Sequence, residues 1–122
     1  MFNPNYLLIA SSVIAIALGQ IIFKYAALNI RIVSGQSLIE ILGSNKTPII
    51  FVCMALVVYF ASTIAWVQAL RTIPLSVAYT FNALSFLIVP IAGVAIFGEA
   101  LPRFFFLGSL MIVLGIILVV LK

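Results

Sequence analysis

The sequence predicts an all-α integral membrane protein, a single domain of four transmembrane helices. Three observations carry that expectation. Of the 122 residues, 66% are hydrophobic and only 7% charged, with a mean hydropathy of +1.43. A soluble domain carries about 25% charged residues, so too little polar surface exists here to coat a water-soluble globule. The stretch from Arg71 to Ala100, RTIPLSVAYTFNALSFLIVPIAGVAIFGEA, runs apolar for more than twenty residues, enough to cross a hydrocarbon core about 30 Å thick. Finally, Lys24, Arg31, Lys46, Arg71, Arg103 and Lys122 stand at the ends of apolar runs, where long basic side chains reach the headgroups.

That scatter also decides what the net charge of +4 means. A nucleic-acid-binding protein gathers its cations on one face or stripe; these mark membrane interfaces, and no nucleic-acid partner is expected. Cys53 is the single cysteine, so an intrachain disulfide is excluded. With no histidine and only Glu40 and Glu99 as carboxylates, no metal site can be assembled, and no cofactor is implied. No nucleophile–base pair presents itself either, so the chain is not expected to be an enzyme. The opening MFNPNYLL lacks the basic segment of a secretory signal, and the first apolar run is expected to remain as a transmembrane helix.

Helix one is expected over about residues 6–28. Tyr6 suits one interface. Gln20 and Lys24, four apart, share a face near the other end. Lysine there can snorkel, but glutamine one turn deeper in lipid calls for protein or a water-filled cavity. Residues 29–47 form the one sizeable polar loop. Within it Leu38, Ile39, Ile41 and Leu42 surround Glu40, so residues 36–43 read either as a short interfacial helix or as a plain connection.

Helix two is expected from Pro48, a favoured first-turn residue, to about Leu70. Tyr59 falls at mid-membrane, where its hydroxyl needs a partner; Trp66 and Gln68 suit an interface belt. Only Arg71 to Ile73 separate it from helix three, expected over residues 74–97 and antiparallel to its predecessor. Tyr79 and Asn82 share a face of that helix. Pro90 removes a backbone donor and predicts a kink, and Gly93 one turn on eases bending or close packing, so these two are the expected hinge. Helix four is expected over residues 101–121, with Gly108 and Gly115 seven apart on one stripe. Small residues let a second backbone approach closely in lipid, within the monomer or across a dimer interface. By the positive-inside rule the loops holding Arg31, Lys46 and Arg103 lean cytoplasmic, although charges so evenly spread also permit the opposite insertion.

Taken together, ALRTIPLSVAY from Ala69 to Tyr79, the apolar helix behind it, FGE at Phe97 to Glu99, and the paired glycines resemble the drug/metabolite transporter superfamily. The resemblance covers the whole chain and is most specific from Ala69 to Gly115. At four helices it looks like the small multidrug-resistance branch and its EamA-like relatives, among them subunits that flip undecaprenyl-phosphate-linked aminoarabinose, which implies a place in the bacterial inner membrane. It implies a protein working as a homodimer, or as a heterodimer with a similar small four-helix chain.

Small multidrug pumps resemble this chain at Lys24, Tyr59, Pro74 and Tyr79. Their proton-coupling glutamate would fall at Ile16, their binding-site tryptophan at Asn82, and their paired hinge glycines at Leu84 and Phe86. An aliphatic side chain cannot exchange a proton for an organic cation, so cation antiport by that site is not expected. A lysine ammonium suits phosphate oxygens, and Gly19, Gln20 and Lys24 are similar to the start of the lipid-sugar flippases. The expected activity is therefore transport of a polyprenyl-phosphate-linked sugar or similar anionic lipid. Lys24, in a donor-rich pair with Gln20, would hold the phosphate, with Tyr59, Tyr79 and Asn82 hydrogen-bonding the passing headgroup. The alternatives are a small-molecule or cationic-drug exporter and a non-transporting membrane subunit.

Overall fold

A computed structural model describes residues 3–121; Lys122, expected at an interface, lies outside the described residues. The elements are α1 (Asn5–Asn29), α2 (Leu38–Ser44), α3 (Lys46–Leu70), α4 (Leu75–Asn82), α5 (Ser85–Phe97) and α6 (Phe105–Val120). No strand occurs among the described residues. The spans Asn5–Asn29, Lys46–Leu70 and Leu75–Phe97 are each long and apolar enough to cross a membrane. The accessible surface is 8721 Å², against about 6,400 Å² for a compact soluble protein of this mass. Leucine, isoleucine and phenylalanine side chains cover much of that surface, as suits a molecule whose solvent is hydrocarbon.

α1 is the central helix: α3 packs along one side of it, and α4 and α5 along another. Its pairing with α3 is antiparallel and tied at both ends. At one end the Asn5 side-chain amide donates to Thr72 Oγ1 at 2.6 Å. At the other, Asn45 accepts from the Arg31 amide at 2.7 Å and donates to the Arg31 carbonyl at 2.8 Å. Between these ties the seam is made of small side chains. Ser12, Gly19 and Ala26 recur every seven residues in α1, and Pro48, Ala55, Ser62 and Ala69 do so in α3; all are buried. Seven residues is nearly two helical turns, so each set forms one stripe along which the backbones close up. Gly19 is the tightest point, since a Cβ there would run into the Tyr59 ring. Larger apolar residues, Ile9, Val13, Ile73 and their neighbours Trp66 and Phe81, close the end of the bundle near the α3–α4 turn.

The 29–47 connection contains α2, begun by a reciprocal cap. The Ser37 amide donates to Glu40 Oε2 at 2.8 Å and the Glu40 amide to Ser37 Oγ at 3.4 Å, so two otherwise orphaned donors are satisfied. Leu38, Ile39 and Leu42 are exposed on it.

The third span is divided. It is broken at Ala83 and Leu84, between α4 and α5, while α5 continues through Pro90. The Ser85 hydroxyl donates to the Asn82 carbonyl at 2.7 Å, the acceptor that the Phe86 amide would take in a regular helix. That amide turns to the Ala83 carbonyl instead, and the Leu84 and Leu87 amides likewise bond three residues back. A serine bonding to its own backbone competes with the helical ladder, so the observed break falls ahead of Pro90 and Gly93, the hinge expected from sequence, through which α5 runs on. It falls where the resemblance to small multidrug pumps puts their hinge glycines.

α6 starts at Phe105, later than the expected 101, because Pro102 to Phe105 form a turn closed by the Phe105 amide on the Pro102 carbonyl at 2.9 Å. Its 16 residues extend about 24 Å, less than the hydrocarbon thickness of about 30 Å. Its principal contact is with α4, through a stripe of half-buried residues at Phe105, Ser109, Val113 and Ile116. Gly108 and Gly115 lie roughly 100° around the helix from that stripe, with nothing within 4 Å of where a Cβ would stand. The glycine pair therefore does not serve packing inside the monomer.

Candidate functional site

Three adjoining cavities share lining residues and form one groove beside α1. The first is lined by Ile16, Tyr59, Ser62, Thr63, Trp66, Tyr79 and Asn82. Ile16 and Asn82 also line the second, which extends to Gln20 and Pro90. The third runs from Gln20 and Pro90 to Lys24, Gly93 and Glu99, with a volume of about 350 Å³, within the range of small-ligand clefts. Gln20, Lys24, Tyr59, Tyr79 and Asn82 thus all line one groove, although they come from three helices.

Each polar group has a defined setting. The Gln20 amide donates to the Tyr59 hydroxyl, which gives the mid-membrane phenol its partner. The Tyr59 ring lies on Gly19 and tilts against Phe23, centroids 5.4 Å apart. Tyr79 meets Trp66 edge-to-face at 5.9 Å. Ser62 and Thr63 donate to the Tyr59 carbonyl, each at 2.8 Å, so their hydrogens are already engaged. Asn82 differs: its Oδ1 is buried and has no hydrogen-bond partner. A buried acceptor left open forfeits about 1–3 kcal/mol, and the residue that carries it lines the groove.

At the far end the Lys24 ammonium meets Glu99 Oε1 at 2.5 Å, with the two side chains 44% and 45% exposed. Glu99, counted in the sequence only among carboxylates too few for a metal site, is brought by the fold to Lys24. The strand-free topology carried the signal. Lys24 is near the end of the first span and Glu99 just beyond the third, so both belong to one membrane face. Trp66, read as an interface residue, also lines the groove. Ile16 does as well, so the position matching the pumps' coupling glutamate presents a hydrocarbon side chain there. Pro90 forms part of the wall and Gly93 lies buried beneath the Glu99 carboxylate. Gly108 and Gly115 are remote from the groove, on the open side of α6. Among the described residues no cluster of side chains could hold a metal ion.

Such a groove offers a cation and a carboxylate at one end and amide and phenol groups along its length, between apolar side chains.

Comparison with known proteins gives the same direction. Over 120 residues, 97% of this chain and 80% of the other, the sequence is 27% identical to a probable 4-amino-4-deoxy-L-arabinose-phosphoundecaprenol flippase subunit ArnF of Aeromonas salmonicida (strain A449). Over 80 residues it is 38% identical to the protein of the same name from Proteus mirabilis (strain HI4320), covering 64% of this chain and 60% of that one. Over 77 residues it is 35% identical to the corresponding subunit ArnE of Klebsiella pneumoniae (strain 342), covering 62% of this chain and 69% of that one. No family model matches the chain, and no solved structure matches it.

Proposed function

The chain belongs to the family of 4-amino-4-deoxy-L-arabinose-phosphoundecaprenol flippase subunits, and from that premise we propose that it is one subunit of a flippase moving a polyprenyl-phosphate-linked sugar across the bacterial inner membrane. It acts as a carrier and not as an enzyme. The observation that carries this reading is the groove itself: five polar side chains from three helices line one path that ends at Lys24 and Glu99. Lys24 holds the phosphate as a point charge. Gln20, Tyr59, Tyr79 and Asn82 exchange hydrogen bonds with the sugar as it passes, the unpaired Asn82 acceptor taking a hydroxyl once α4 turns it into the path. The polyprenyl tail never leaves the hydrocarbon. The break at Ala83–Leu84, with Pro90 and Gly93 below it, lets α4 and α5 change angle, and rocking of one half against another is how such carriers alternate access.

A single chain encloses only one side of this path, and α6, short for a fourth span, leaves its glycine face open. Both features support a pair of similar small chains joined through Gly108 and Gly115. Similarity to subunits of two names, ArnE and ArnF, favours a heterodimer over a homodimer.

The test is flux of polyprenyl-phosphate-linked sugar into vesicles bearing the full chain and its partner. Lys24→Met removes a charged hydrogen bond worth about 1.5–3 kcal/mol and should slow transport roughly ten- to hundredfold, with insertion unchanged. Undiminished flux would remove the phosphate role. A drug-export role predicts instead that the same variant spares the lipid and alters cation efflux.

A further inference from the structure

The proposed phosphate site at Lys24 is not vacant of charge: Glu99 already occupies the ammonium. Glu99 is also held there by the fold. Gly98 ends α5 in the left-handed conformation, φ +67°, turning the chain back so that the Glu99 amide faces the Gly93 carbonyl at 3.5 Å. Its Oε2 rests over Gly93, where a Cβ would come within 2.9 Å, so glycine makes room for the carboxylate. Nearly half of each side chain of the pair is exposed, within reach of a ligand in the groove.

A carboxylate in this place is a liability for a purely anionic ligand. A phosphate arriving at Lys24 displaces Glu99 from its cation and leaves two negative groups side by side with one positive charge between them. A ligand that brings its own cation avoids this. Resting on the reading of Lys24 as the phosphate group's partner, we propose that Glu99 is the specificity-determining residue that reads a positively charged amine on the sugar. The internal Lys24–Glu99 pair is replaced by two new pairs, ammonium of Lys24 with lipid phosphate and carboxylate of Glu99 with sugar amine. The site then selects a zwitterionic headgroup, and it does so as much by penalising anionic lipids without the amine as by rewarding those that carry it.

The experiment measures binding of three lipids to the full chain with its partner in lipid nanodiscs: phosphoundecaprenol bearing an amino-pentose, the same lipid with the amine acetylated, and one bearing a neutral pentose. The unaltered protein should bind the amino lipid at least tenfold more tightly than either of the others. Glu99→Gln should bring that ratio close to one, weakening the amino lipid and leaving the neutral lipid equal or tighter; Glu99→Asp should keep the preference. Lys24→Met should weaken all three. Equal affinity of the unaltered protein for the amino and acetylated lipids overturns the role of Glu99 without any variant having to fold. So does an undisturbed ratio in Glu99→Gln while Lys24→Met loses binding, and that result leaves the phosphate site intact. If Lys24→Met binds all three lipids normally, the phosphate reading itself fails.

Discussion

Two stripes of small residues at the same seven-residue spacing meet different fates in this molecule. Along the α1–α3 seam, Ser12, Gly19, Ala26, Ala55, Ser62 and Ala69 are buried against a facing helix. On α6, Gly108 and Gly115 face open space. In lipid no hydrophobic force draws helices together, and close packing supplies most of the attraction. A small-residue stripe is therefore a statement that a backbone belongs there, and the difference shows which stripe is satisfied within the chain. The seam holds the groove's wall in place, while the α6 stripe meets no other helix among the described residues of this chain.

The sharpest way to break the contrast is Gly19→Val. Branched carbons would enter the space of the Tyr59 ring and detach it from Gln20, and overpacking of this kind costs about 1–3 kcal/mol. Thermal unfolding in detergent should fall accordingly, with groove-bound ligand lost as well; an unshifted transition would mean that the seam is loose. Next in size, Gly108→Leu combined with Gly115→Leu should weaken chain–chain association about tenfold, equivalent to about 1.4 kcal/mol. Monomer stability should stay unchanged, as sedimentation and thermal melts can both report. An association constant equal to that of the parent would place the interface elsewhere. A finer comparison replaces Cys53 and puts single cysteines at Gly115 or Ala55: oxidation should cross-link chains through residue 115 and leave residue 55 unreacted. The smallest effect is expected from Asn5→Ala, which releases one partly exposed tie to Thr72 for about 0.5–1.5 kcal/mol, read as a modest drop in melting temperature.

The seam and the stripe were not equally legible beforehand. The class of protein follows from apolar run length and sparse charge, which require no knowledge of packing. Gln20, Tyr59, Tyr79 and Asn82 could be singled out because a polar side chain in hydrocarbon stands out in any one-dimensional reading. The Gly108 and Gly115 stripe was visible for the same reason that the seam was not: glycines catch the eye, whereas Ser12, Ala26, Ala55 and Ala69 pass as ordinary apolar filling until a neighbour is seen against them. Glu99 lay beyond such reading, since its partner is 75 residues earlier in the chain and meets it only through the fold. So did the break at Ala83–Leu84, which depends on one hydroxyl choosing the carbonyl of Asn82, a choice that composition does not encode.

The attachment of α6 has a mechanical side. Because α6 rests chiefly on α4, and α4 carries Tyr79 and Asn82 into the groove, a torque applied to α6 from outside arrives first at those two side chains. In the dimer proposed above, α4 and α6 turn together about the Ala83–Leu84 break and carry Tyr79 and Asn82 with them.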